Sequence, residues 1–337
     1  MPFVTVIIPF FQQERGILLP AVESVFAQKV NADVRIDLIV IDDGSPVPAS
    51  EELAHLAPPV GFTLSLLKCQ NGGPGWARNI GLDMLSDKTD FVGFLDSDDR
   101  WRADHLQTAL NILDDDADFY FCDHTRWYDE KSWFRASEPI QLWMKENDGG
   151  RFVARPEFGI YEFVPKAAFL SFIEDYLAQT STVVYRYARF RNIRFDTQLR
   201  HAGEDNMFWL ELSEAARRVR FSTTARVHCG RGDNMYYGSM SWDHPDAARR
   251  IGYVLVFFRK VESKFQLKDA ARVATKQRIR TLEATFAHIW IRKILKTRVF
   301  DWNALRPVVR EDPWLLPKLL PLGFVALYRF IRRKIWS

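Results

Sequence analysis

Apolar positions along the first half of the chain follow two alternating rhythms. Residues 4–8 (VTVII) are almost wholly apolar and β-branched, the composition of a strand buried on both faces of a parallel sheet. Residues 16–28 then place Ile17, Leu18, Val22, Val25 and Phe26 at helical spacing, and residues 36–41 form a second apolar strand that stops at the turn DDGS, 42–45. A third strand over 63–67 precedes the glycine-rich run NGGPGWARNIG at 71–81, which opens a helix carrying Trp76, Ile80, Leu82 and Leu85. A fourth, beginning at Phe91, ends abruptly in Asp96, Asp98 and Asp99, and a helix over 103–113 and a strand over 118–122 follow. Strand, polar turn and helix in repeated succession predict an α/β fold with a mostly parallel sheet.

The pattern loosens after that. Residues 124–160 are rich in aromatic and charged side chains with little periodicity, and read as a loop or hairpin region in which aromatic faces either pack or stack on sugar rings. A strand over 180–185 and the segment 195–203 lead into a helix that begins with Glu204 and Asp205. A strand over 219–227 then runs into the loop HCGRGDNMYYG at 228–238. From 246 to 296 the apolar positions are helical and the polar ones basic. The end of the chain, 315–336, mixes leucines and aromatics with lysines and arginines. Its longest uncharged run, 319–328, contains Pro321 and Gly323 and falls short of the ~20 residues needed to span a bilayer. It reads either as a basic amphipathic segment at a membrane interface or as a terminal helix docked on the core.

Charge divides the chain. From residue 249 onward there are 21 Lys/Arg against 6 Asp/Glu, a balance of +15 against +3 for the whole chain, so the first 248 residues carry −12. A carboxylate-rich front joined to a basic tail points to an anionic surface for the tail, or to a solvated helical bundle. Nucleic acid fits poorly, since no stacking platform or groove-reading motif accompanies the charge. Cys69, Cys122 and Cys229 are far apart and lack CxxC spacing, so neither a disulfide framework nor a zinc site is indicated and a reducing cytosol fits. The first residues, MPFVTVII, read as a core strand rather than a signal peptide.

Each chemical motif admits a plain reading beside a functional one. Carboxylates at a strand's carboxyl end stand where open α/β sheets bind ligands, and two of them spaced i, i+2 suit a hard cation shared with phosphate. The glycine run matches neither GxGxxG nor the P-loop spacing, so it serves either a tight turn or phosphate at a helix N-terminus, with Arg78 one turn inside. Glu204 and Asp205, in a first helical turn, suit the helix dipole as well as catalysis. A single histidine such as His228 is more often structural than a ligand.

Taken in order, these motifs resemble the family 2 glycosyltransferases: strand-PFF, IDDGS, NGGPGWARNIG, FLDSDD and GED, over roughly residues 1–240. The later HCGRGDN loop and the basic helical tail are similar to bacterial members that build exopolysaccharide or lipopolysaccharide. The resemblance implies a GT-A fold, a Rossmann-like, mixed and mostly parallel nucleotide-binding sheet flanked by helices over 1–240. A basic helical region over 241–337 would follow, its end, 315–337, suited to a membrane interface. It also implies an inverting hexosyltransferase with Mn²⁺ or Mg²⁺ as cofactor, a UDP-sugar as donor and a carbohydrate or lipid-linked oligosaccharide as acceptor. The setting implied is cytoplasmic, peripheral on the inner face of the cell membrane and in contact with anionic lipid.

By the same resemblance Phe11 stacks on the base, in place of the more usual tyrosine, and Pro9 lies in the same loop. Asp43 accepts a hydrogen bond from uracil, Gly73 and Arg78 border base and phosphates, and Asp96 faces the ribose. Asp98 holds the metal, with His228 as a looser match to a further ligand and Asp99 as another candidate. Asp205 is the general base, and Glu204 contacts the acceptor or supports Asp205. Two rivals remain: a sugar-nucleotide nucleotidyltransferase, whose N-terminal Gly-rich, Arg-Lys signature is absent, and a non-catalytic scaffold that binds nucleotide-sugar and membrane.

Overall fold

The computed structural model describes residues 1–114, 116–230 and 244–324. They fall into two compact units, one formed by Met1–Thr197 with Phe208–Asp233, the other by Gln198–Met207 with Asn234–Ser337.

The first unit is a ten-stranded sheet with its helices. The expected β/α alternation is present as β1 (Phe3–Phe10), α1 (Leu18–Phe26), β2 (Arg35–Asp42), α2 (Ala49–Leu53), β3 (Phe62–Lys68), α3 (Pro74–Asp83) and β4 (Phe91–Phe94). A short β5 (Arg100–Trp101), α4 (His105–Asp114) and β6 (Phe119–Arg126) follow. Then come α5 (Trp133–Ala136), α6 (Glu138–Asn147), β7 (Phe152–Ala154), β8 (Ile160–Phe163), α7 (Ala167–Glu174), β9 (Val183–Arg186), α8 (Glu204–Ala215) and β10 (Val219–Cys229). The strand order is β3-β2-β1-β4-β9-β6-β10-β8-β7, with β5 also on β10.

Strands β3, β2, β1 and β4 run parallel, with Val6 beside Leu38 on one side and Gly93 on the other. Winding therefore reverses between β1 and β4, and the crevice at the carboxyl ends there is the expected ligand position of such a sheet. Between β4 and β6 lies β9, antiparallel to both, while β10 again runs parallel to β6. The carboxyl ends of β1, β2, β4, β6 and β10 thus share one edge of the sheet.

Aromatic rings fill the core between these strands. Phe94 stacks on Tyr185 at 6.0 Å and meets Phe208 edge-on at 5.8 Å, and Phe195 stacks on Phe208 at 4.2 Å. Each such buried ring is worth ~1.5–3 kcal/mol of apolar transfer. Residues 124–160, expected as a loop or hairpin region, contain the helices α5 and α6 as well as β7, which pairs antiparallel with β8. Phe134, Trp143 and Phe152 from that stretch are buried around Phe221. These helices are only one to three turns long and Pro139 opens the second, too little length for a helical period to show in the sequence.

The second unit is helical: α9 (Ala247–Lys264), α10 (Asp269–Thr297) and α11 (Trp302–Glu311). Leu255, Val261, Phe286, Ala287, Leu305 and Val308 form its interior. Arg259 joins the helices by reaching Glu283 and Asp312, each at 2.6 Å. Beyond α11, Leu315 and Leu319 are buried while Trp314, Leu320 and Phe324 are exposed. No described helix is long and apolar enough to cross a membrane. The expected domain boundary at 240/241, most of the 228–238 loop and the end of the 315–337 segment lie outside the described residues.

Candidate active site

Three strand ends converge at the switch point. Pro9 is buried within β1 and Phe11, just past it, is 41% exposed. Gln12 ties the three turns together: its backbone N–H donates to Ser45 Oγ at 2.9 Å, Ser45 Oγ donates back to its carbonyl at 2.8 Å, and its side-chain amide reaches Ser97 Oγ at 3.1 Å. The first acid of the DDGS turn, Asp42, accepts from the N–H groups of Ser45 (2.8 Å) and Ala49 (2.9 Å), and so fixes the turn itself.

Asp43 is oriented differently. One carboxylate oxygen accepts from the Gly72 N–H at 2.7 Å and the other from the Gly73 N–H at 2.8 Å, with the Asn71 amide donating to its carbonyl at 2.8 Å. The glycine run at 71–73 is thereby fastened to the end of β2. Gly73 sits at φ 94° immediately before Pro74 opens α3, a conformation that a Cβ would strain.

One turn into α3, Arg78 is buried and donates to Asp96 at 2.6 Å, with its guanidinium 5.2 Å from the Phe195 ring. Asp96 also accepts from Gln179 at 3.3 Å, and its own N–H donates to Ser181 Oγ at 2.9 Å. Asp99 is fully enclosed, accepting from Ser181 Oγ (2.6 Å), Gln179 Nε2 (2.9 Å) and the Gly230 N–H (2.9 Å). Asp98, between them, is half-buried. Burial, then the charges of Asp98 and Asp96, push the Asp99 carboxyl well above the usual carboxylate range, against the bonds from Ser181 and Gly230. Burial and the same acids push the neighbouring Cys229 thiol up as well.

This loop gathers three carboxylates within four residues, the first paired with Arg78, and carboxylate oxygens are hard donors. Both features fit a divalent cation. Among the described residues no three His, Cys, Asp or Glu side chains are gathered as a complete metal centre. His228 is exposed near the end of β10, with its Nδ1 3.0 Å from Thr125 Oγ1.

Glu204 and Asp205 occupy the first turn of α8, and both belong to the second unit. Asp205 accepts from the Asn206 N–H at 2.7 Å. Gly203, before them, has φ 89°, and a Cβ there would stand 3.0 Å from Phe257.

Sequence reasoning missed Gln12, Gln179, Ser181 and Gly230. The first lay unremarked beside the PFF turn. Gln179 and Ser181 reach the acids only because β9 inserts beside β4. Gly230 was visible only as one glycine of a loop, yet a Cβ there would lie 1.9 Å from the Asp98 carbonyl oxygen.

Known proteins resemble this chain in architecture and in sequence. The model of glycosyl transferase family 2 matches residues 5–177. The succinoglycan biosynthesis protein ExoW of Rhizobium meliloti (strain 1021) is 30% identical over 332 residues, 98% of this chain and all of ExoW. The crystal structure of S. aureus TarS 1–349 in complex with UDP-GlcNAc superposes with a TM-score of 0.53 at 17% identity, covering 94% of this chain and 80% of that one. The mannosyltransferase PcManGT from Pyrobaculum calidifontis, in complex with GDP-Man and Mn²⁺, gives 0.54 at 14% identity, covering 96% and 84%. The mixed, mostly parallel sheet with its switch-point acids is a GT-A fold, and the chain belongs to glycosyl transferase family 2.

Proposed function

We propose that the chain is a metal-dependent, inverting hexosyltransferase that moves one sugar from a UDP-sugar to a hydroxyl of a carbohydrate or lipid-linked oligosaccharide acceptor in surface polysaccharide biosynthesis. The observation that carries the reading is the acid loop 96–99 at the switch point, with Arg78 braced against Asp96. The likeness to ExoW over its full length supports the polysaccharide setting, and the TarS complex supports a uridine nucleotide.

In this reading the exposed ring of Phe11 stacks on the base and Pro9 shapes the same loop. Asp43, oriented by the Gly72 and Gly73 N–H groups, would take the uracil N–H. Gly73 and Arg78 border base and phosphates, and Asp96 receives the ribose hydroxyls. Asp98 would hold Mn²⁺ or Mg²⁺, with the remaining ring nitrogen of His228 as a further ligand, and the cation supplies electrostatic stabilisation to the departing diphosphate.

Asp205 accepts the proton of the attacking hydroxyl, as a positioned carboxylate general base. Glu204 holds the acceptor or supports Asp205. One displacement without a covalent intermediate inverts the anomeric centre. The test is nucleotide release from UDP-, GDP- and dTDP-sugars by the wild-type chain and Asp205→Asn. Release from none of them by the wild-type chain would overturn the reading.

A further inference from the structure

Beyond the donor site, the same edge of the sheet carries a second cleft of about 420 Å³, lined by Thr125, Arg126, Trp127, Tyr128, Glu130 and His228. Its wall is a tight turn in which the Asp129 N–H donates to the Arg126 carbonyl at 3.0 Å, with Trp127 and Tyr128 in the two central positions. Turn centres are usually held by Gly, Pro, Asn or Asp, because their backbones or short polar side chains suit the bend. Here they carry two large aromatics, 53% and 57% exposed, set edge-to-face at 5.3 Å. Phe134, Trp143 and Phe152 just downstream are by contrast buried.

The turn is also held in shape. Arg126 lies 4.1 Å over the Trp133 ring and donates to Tyr128 Oη at 2.9 Å, fixing the position of the Tyr128 hydroxyl. The Trp127 N–H donates to the Cys229 carbonyl at 2.9 Å, and the next residue, Gly230, donates to Asp99 at 2.9 Å. A single dipeptide thus joins the aromatic turn to the acid loop. A sugar ring offers an apolar C–H face and a rim of hydroxyls. The cleft offers flat aromatic faces beside carboxylate and hydroxyl groups, at a volume suited to one or two sugar rings.

We propose that Trp127, Tyr128 and Glu130, with Thr125, form the subsite for the acceptor sugar, an inference that rests on the carbohydrate-acceptor reading above. Trp127 supplies the stacking face, Glu130 accepts hydroxyl hydrogens, and the shared strand β10 sets the distance from subsite to acid loop.

Saturation-transfer NMR on the full chain tests this with methyl β-D-glucoside and cellobiose as probes and UDP with Mn²⁺ present. The wild-type chain should transfer saturation to the sugar ring protons. Apparent affinity should fall about tenfold in Trp127→Ala and in Tyr128→Ala and be partly restored in Trp127→Phe, with the thermal midpoint and UDP affinity within about twofold or unchanged. Glycoside binding equal to wild type in both alanine variants overturns the subsite, as does its absence from a wild-type chain that binds UDP. Failure of UDP to bind in calorimetry counts instead against the nucleotide-sugar reading, and the glycoside arm still reads the cleft independently.

Discussion

Gly230→Ala isolates the tie between β10 and the acid loop. The new Cβ would lie 1.9 Å from the Asp98 carbonyl oxygen, and the obstacle is backbone, so no side chain can swing aside. Restoring ordinary contact requires a retreat of roughly 1.5 Å. That distance breaks the 2.9 Å bond from the Gly230 N–H to Asp99. Leaving a buried acceptor such as this Asp99 oxygen unsatisfied costs ~1–3 kcal/mol, and for a unit of this size the thermal midpoint should fall by about 3–10 °C. Displacing the loop by even ~1 Å costs on the order of 10²-fold in turnover. Scanning calorimetry and nucleotide-release kinetics at saturating Mn²⁺ read the two effects. Gly16→Ala is the control, since φ there is also unfavourable at 84° but nothing lies within 4 Å. Its midpoint should drop by a few degrees at most, with activity retained. A Gly230→Ala chain within about 1 °C and about twofold of wild type would refute the reasoning.

Three further outcomes follow from particular side chains. His105 is pushed down to about 3 by burial and then by the charge of Arg226, and His124 to about 3 by burial and then Arg126. Unfolded, each titrates near ~6.5, so stability is full above that value and is lost as pH falls towards 3, by roughly 2 kcal/mol per histidine at pH ~5. Urea midpoints that stay flat from neutral pH down to ~5 would contradict this. Arg78→Met keeps volume but strands Asp96; because Asp96 is 27% exposed, the cost should sit below the buried-pair range, at ~2–3 kcal/mol. A double-mutant cycle with Asp96→Asn that returns coupling under ~0.5 kcal/mol would remove the pair from the account. The full chain should bind vesicles containing phosphatidylglycerol, more weakly as salt rises, at ~1 kcal/mol per basic residue near the surface. Unchanged partition after deletion of 315–337 would reject lipid as that segment's partner.

Local signals carried most of the sheet's first half into view. The apolar runs of β1, β2 and β4 are buried on both faces, so their hydrophobicity is continuous, and the acids that end β2 and β4 break it sharply. Asp42 and Asp43 were legible as a turn, and their division into a turn-former and an anchor for Gly72 and Gly73 matches the chemistry of adjacent acids. What escaped the sequence was long-range. Gln179 and Ser181 lie 80 or more positions from Asp96 and Asp99, and only the antiparallel insertion of β9 between β4 and β6 brings them together. The aromatics of 124–160 looked alike in sequence, yet Phe134 and Trp143 are core while Trp127 and Tyr128 are surface, a distinction made by two short helices. The assignment of Gln198–Met207 to the second unit could not be read either, because α8 is one continuous helix.

The most direct test of the central claim pairs wild type with Asp205→Asn, measuring UDP binding and sugar transfer in the same preparation with Mn²⁺. Wild type should release UDP from a UDP-sugar and yield a product of inverted anomeric configuration. Asp205→Asn should bind UDP with wild-type affinity and lose transfer by about 10²-fold or more, the contribution of a positioned general base. Normal turnover by Asp205→Asn, or a product of retained configuration from wild type, would contradict the account.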